Sequence, residues 1–149
     1  MDYLIEQGIK VDAIITDPPY AVTSYSWDQI IPFDQMWDKL SKLIKDDGAI
    51  VLFGNEPFSS SLRMSNPKFY RYDWKWIKTQ VTGFQNAKYQ PLRCYEDIMI
   101  FSKCGAVASA KPPMRYFPQG IIQVNLKVTT KPINYLGDKK SDEKVSYTQ

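Results

Sequence analysis

The stretch VDAIITD, Val11–Asp17, is a short and nearly continuous apolar run that stops at two consecutive prolines, Pro18 and Pro19. Each proline fixes its φ at about −65° and removes a backbone N–H donor, so neither belongs inside an ordinary strand or helix. A run of this length and make-up is expected of a parallel strand buried on both faces, Ile15 included. The corner that follows, Asp-Pro-Pro-Tyr, is then expected at the carboxyl end of that strand. In open α/β sheets this is where ligands bind.

The next segments fit the same architecture. Met36, Trp37, Leu40, Leu43 and Ile44 fall on one helical face, with Asp34 expected to cap the helix and Gly48 to close it. Ala49–Gly54 reads as a second buried strand, and Pro57 suits the first turn of a helix through PFSSSLRMS. Strand, helix, strand, helix is the order of a parallel α/β sheet. From Tyr70 to Lys78 the residues alternate, with Tyr70, Tyr72, Trp74 and Trp76 on one side and Arg71, Asp73 and Lys75 on the other. Trp74 and Trp76 are expected in the core. Glu96–Lys103 is another buried strand, and the connection before it is too short for a crossover helix, so these two strands are expected to pair antiparallel. Beyond Lys103, KPPMRYFPQG is broken by proline and glycine, and GDKKSDEK is polar and expected to be mobile.

Composition narrows the chemistry. The 149 residues suit one domain. There is no histidine, which removes Ser-His nucleophile pairs and His-ligated metals. Cys94 and Cys104 are too few for a disulfide framework and lack metal spacing, so no metal is expected. No apolar stretch approaches the roughly 20 residues of a membrane span, and the opening MDYLIEQGIK has no signal-peptide layout. A cytoplasmic chain is expected. Charge is uneven: residues 1–62 hold 4 basic and 10 acidic side chains, residues 63–103 hold 8 and 3, and residues 104–149 hold 7 and 3. A basic region rich in aromatics fits a nucleic-acid surface.

The corner itself offers a carboxylate, carbonyls whose direction is fixed by proline rings, and an aromatic face. That set matches an exocyclic amino group on a planar heterocycle. Asp17 can accept one N–H, the Pro18 carbonyl the other, and Tyr20 can stack on the ring. Two acceptors localise the nitrogen lone pair and aim it at an electrophile, through orientation and electrostatics.

AIITDPPY, taken with AIVLFGNEPFSSSLRMSN, YDWKWIKTQVTGFQNAK and QPLRCYEDIMIFSK, resembles the amino-methylating DNA methyltransferases. The likeness is to the phage-type, DPPY-first (beta) class acting on adenine N6, and it runs over about residues 3–103. It implies a Rossmann-like sheet, S-adenosylmethionine as methyl donor, and double-stranded DNA as substrate with the target base flipped out. It also implies Asp17, Pro18, Pro19 and Tyr20 as the catalytic corner, with Asp17 touching the cofactor. The family continues through a target-recognition region into a glycine-rich turn that cradles the cofactor. The seven glycines here include no close pair, so the chain is expected to hold a partial sheet without that half: residues 1–103 the catalytic half, residues 104–149 the start of target recognition.

Further candidates are Trp27 beside the flipped-base pocket, where burial is the competing role, and Lys75, Lys78, Asn86, Lys88 and Arg93 as DNA contacts. Asn55 and Glu56 end a strand on the cofactor-facing edge. The alternatives are an inactive remnant with weak DNA binding, cytosine N4 as the target, or an RNA or protein amide nitrogen. Asp rather than Asn before the prolines disfavours the protein-glutamine and rRNA-guanine relatives. The strand ending at Asp17 lacks its neighbour in this reading, so its edge is expected to dock a complementing C-terminal fragment or to self-associate.

Overall fold

A computed structural model describes residues 1–120. Its centre is one four-stranded sheet. Val11–Thr16 (β1) and Ile44–Gly54 (β2) run parallel, with Ile14 opposite Ile50 and Thr16 opposite Leu52. Tyr70–Thr82 (β3) and Arg93–Phe101 (β4) pair antiparallel, and β4 also pairs antiparallel with β2, giving the order β1-β2-β4-β3. The expected change from crossover to hairpin-like connection is therefore present. A short 3₁₀ turn, Phe84–Asn86, sits in the β3–β4 connection. The compact unit spans Met1–Arg115, and the polar run GDKKSDEK lies outside the described residues.

Two helices cover one face of the sheet. Phe33–Leu43 (α2) and Phe58–Ser65 (α3) bring Met36, Trp37, Leu40, Phe58 and Leu62 onto Ile50, Leu52, Met99 and Phe101. Trp37 Nε1 donates to Ser65 Oγ at 2.8 Å, which ties the helices together. A five-residue helix at Asp2–Glu6 (α1), not anticipated from the sequence, packs against α2 and ion-pairs Asp2 with Lys39.

Several expectations are corrected. Asp34 lies in the first turn of α2 without a capping hydrogen bond, and the cap position is Pro32. The helix ends at Leu43 because the wholly buried Ile44 is drawn into β2. Gly48 is in β2 instead of closing the helix, and a Cβ there would stand 2.7 Å from the Asp12 carbonyl oxygen. β1 is not buried on both faces: Ile14 joins the core, but Ile15 on the other face is 68% exposed. Trp74 and Trp76 are likewise outside the core, 54% and 53% exposed. The reason is that α2 and α3 cover only one face. Asp73 reaches Arg63 of α3 on that side, so Trp74 and Trp76 point to the uncovered side, where Trp76 and Phe53 pack edge-to-face with centroids 5.9 Å apart.

Candidate active site

Parallel β1 and β2 deliver Asp17 and Asn55 to the same edge of the sheet, and the antiparallel register brings the end of β3 (Thr82 opposite Arg93) and the start of β4 there too. The corner after β1 lines an open concavity of about 360 Å³ with Asp17, Pro18, Pro19, Tyr20, Val22, Thr23, Trp27 and Asp28. Pro18 is buried and Asp17 is exposed, so the chain is anchored by the ring while the carboxylate faces out. The Tyr20 hydroxyl donates to Asp17 Oδ1; the second carboxylate oxygen has no partner among the described residues. The Tyr20 ring packs on Phe58 of α3, centroids 5.0 Å apart. Burial, then its bond to Asp17, pushes the Tyr20 phenol above the ordinary tyrosine range. At neutral pH it is a fixed hydrogen-bond donor.

What holds this corner in place is a residue that sequence reasoning did not single out. Asp28 is buried, and its carboxylate accepts the N–H groups of Tyr20 and Ala21 at Oδ1 (3.0 and 2.9 Å) and of Val22 and Thr23 at Oδ2 (2.9 and 2.7 Å). The Thr23 hydroxyl adds a fifth bond at 2.8 Å. Ala21 sits at φ 57°, a left-handed conformation that costs a non-glycine residue about 1 kcal/mol; the N–H bond to Asp28 holds it there. The only sequence signal was an acid a few residues past a rigid corner, which many solvated loops share. Thr23 first, then the backbone donors, hold the Asp28 carboxyl below the usual carboxylate range against the opposing effect of burial.

The sign of that shift makes a prediction. A depressed folded-state value means that the clamp is fully present above an ordinary carboxylate pKa of about 4 and is lost as pH falls through the folded value. Asp28→Asn replaces one acceptor oxygen with a donor, so two of the N–H groups lose their partner at every pH. Amide exchange of residues 20–23, measured by NMR, is expected to speed up at least about tenfold in the variant at neutral pH. In wild type the same loss should appear only in acid. Unchanged protection in Asp28→Asn would show that the loop is ordered by something else.

The other candidates divide into two groups. Trp27 is 69% exposed and stacks on Tyr25, centroids 5.7 Å apart and planes 11° apart, so it forms an open wall of the concavity rather than core. Lys75 is bound to Asp73 and Asp97, and Lys78 to Glu96, which neutralises both locally. Asn86, Lys88 and Arg93 lie in or beside the β3–β4 connection, and their side chains make no hydrogen bond or ion pair among the described residues. Glu56 accepts from Ser60 N–H and Arg63. Burial raises the Glu56 carboxyl, and these bonds outweigh it to leave it below its ordinary range. Among the described residues no group of three or more His, Cys, Asp or Glu is placed to hold a metal, and no helix is long and apolar enough to cross a membrane.

No family model matches the sequence, and no curated protein matches it. Solved structures do. A complex of M1.HpyAVI with SAM superposes with a TM-score of 0.50 at 21% identity, over 68% of this chain and 50% of that one. A second M1.HpyAVI structure gives 0.51 at 21% identity with the same coverage. The cytosine-N4-specific PvuII DNA methyltransferase gives 0.44 at 16% identity, over 67% and 45%. The chain thus spans about half the length of the solved structures it matches. What the likeness establishes is the fold: a mixed α/β sheet with parallel and antiparallel strands, shared with part of the M1.HpyAVI structures.

Proposed function

We propose that this chain is the base-recognising part of a DNA methyltransferase, acting on the N6 amino group of an adenine flipped from duplex DNA, with residues 1–103 as the catalytic half. The observation that carries the reading is the Asp17 corner: an exposed carboxylate with one oxygen unpartnered among the described residues, fixed prolines, and a concavity walled by Tyr20 and the exposed Trp27. Asp17 accepts one amino hydrogen and the Pro18 carbonyl the other. With both hydrogens held, the nitrogen lone pair is withdrawn from the ring and presented outward. The Tyr20–Asp17 bond orients the carboxylate, and Trp27 supplies a stacking face. The uneven charge of the sequence, and Lys88 and Arg93 without a partner among the described residues, support a nucleic-acid partner.

The methyl donor in this reading is S-adenosylmethionine. The described residues do not fit it as a main holder. The four N–H groups of residues 20–23, which an anionic group could have met, are already taken by Asp28, and no glycine lines the concavity. We propose that donor binding falls to polypeptide covering the free edge of β1, leaving Asp17 as the contact from this side.

The test exploits the cost of extruding a base, which is lowest for a mismatched one. Duplex oligonucleotides with a mismatched adenine, a mismatched cytosine or no mismatch are titrated by fluorescence anisotropy at low and high salt. Binding is expected to be weak and strongly salt-dependent, with the mismatched adenine favoured about tenfold and the preference lost in Asp17→Ala. A preference for mismatched cytosine would transfer the reading to cytosine N4. Equal binding of all three would leave an inactive remnant with only electrostatic affinity.

A further inference from the structure

We infer that a second concavity on the same edge, at the β3–β4 connection, is a nucleotide site that takes the neighbour of the extruded base. The inference rests on the nucleic-acid reading above and adds a site to it. This concavity is about 500 Å³, larger than the one at Asp17, and its lining includes Asn55, Asn86, Gln90, Arg93, Cys94 and Tyr95.

Four of its polar side chains are without partners among the described residues. The side-chain amides of Asn55, Asn86 and Gln90 and the guanidinium of Arg93 make no hydrogen bond or ion pair among the described residues. Elsewhere on β3, β4 and α3 the cations are engaged: Lys75 by Asp73 and Asp97, Lys78 by Glu96, Arg63 by Glu56, Asp73 and Asp97, and Arg71 by the carbonyls of Ser102 and Cys104. Glu56, the acid on the wall, is itself occupied by Arg63 and Ser60. Among the described residues the concavity is therefore left with one unpaired positive charge and three unpaired amides.

That combination has a defined chemical match. A guanidinium meets a phosphate, and planar amides read the donor and acceptor edge of a base. Tyr95 contributes a ring that has the Lys75 ammonium over it at 5.6 Å, and Phe84 and Tyr89, outside the lining, stand exposed on the same connection, where unpaired bases can stack. Gly83, at φ 93°, turns the chain at the wall, and a side chain there would meet nothing within 4 Å, so the turn is set by backbone conformation and not by crowding. Position fits as well. β4 lies two strands from β1, about 10 Å at ordinary strand spacing, so a base at Asp17 and its neighbour on the same strand can occupy both concavities.

Cys94 provides a reporter. It is exposed on the wall, while the other thiol, Cys104, is half-buried. In a Cys104→Ser variant, maleimide modification of Cys94 is expected to slow at least about tenfold when the adenine-mismatch duplex is saturating. Arg93→Ala should weaken all duplexes alike and lower the log–log salt slope by about one. Asn86→Ala combined with Gln90→Ala should change which base is preferred beside the mismatch, while the adenine preference set by Asp17 persists. If the duplex binds with that Asp17-dependent preference but Cys94 reacts as fast as before, or the neighbour preference is unmoved, the second site is wrong and the proposed function stands. If no duplex binds at low salt, the nucleic-acid reading fails, and this site with it.

Discussion

Asp97→Asn is expected to destabilise the chain by about 3 kcal/mol, a large share of the roughly 5–15 kcal/mol that holds a domain of this size. Asp97 begins the buried part of β4 at 1% exposure. It faces Arg63 of α3 at 3.2 Å and Lys75 of β3, so one carboxylate links a helix and a strand to the centre of the sheet. Removing one partner from a buried charge cluster leaves the others desolvated and uncompensated. Asp73 and Glu56 still hold Lys75 and Arg63 in part, which keeps the loss at the lower end of the roughly 3–5 kcal/mol that breaking a buried pair costs. Burial pushes the Asp97 carboxyl up, but the hydrogen bond from Lys75 and the charges of Arg63 and Lys75 outweigh it and leave it below the ordinary carboxylate range. Its contribution is therefore complete above about pH 4 and lost as pH falls through the folded value. Urea melts at neutral pH and near pH 2 check both halves: the gap between wild type and Asp97→Asn should be largest at neutral pH and shrink in acid. A gap independent of pH would mean that shape, not charge, is what Asp97 supplies.

The second large effect concerns mass. In solution the isolated chain is expected to be a dimer or larger, at twice its 17.3 kDa or more. Among the described residues β1 pairs only with β2, so its other edge offers backbone groups that no described strand meets, and an open edge is a template for pairing with another chain. Beside it Ile15, on the face that α2 and α3 leave bare, stands exposed. A second copy laid edge to edge would pair with β1 and pack against Ile15. Light scattering over a wide concentration range reads the mass directly. Ile15→Lys is a usable control, because Ile15 is exposed and not, as its sequence context suggests, buried. The lysine should leave the melt within about 0.5 kcal/mol of wild type and return the chain to monomer. A strictly monomeric wild type would show that the edge is already covered.

The apolar runs of β1, β2 and β4, the helical face of α2 and the short connection before β4 were legible because each depends on local periodicity and chain length alone. The Asp-Pro-Pro-Tyr corner was legible for the same reason: proline geometry needs no tertiary partner. Boundaries were not. Ile44 belongs to the helical stripe of α2 by spacing, yet it enters β2 because the core beneath β1 and β2 takes it completely. Burial of aromatic residues was also beyond the sequence, since Trp74 and Trp76 have the composition of a core and are exposed only because no helix covers their face. The Asp28 clamp, the neutralisation of Lys75 and Lys78, and the gathering of Asn55, Asn86, Gln90 and Arg93 around one concavity are matters of which side chains meet across loops and strands. The sequence by itself determined the elements and the rigid corner, because backbone sterics and hydrophobic periodicity act between near neighbours. Only the tertiary structure decided which charges are spent and which remain free to meet a ligand, because that depends on distances between residues far apart in the chain.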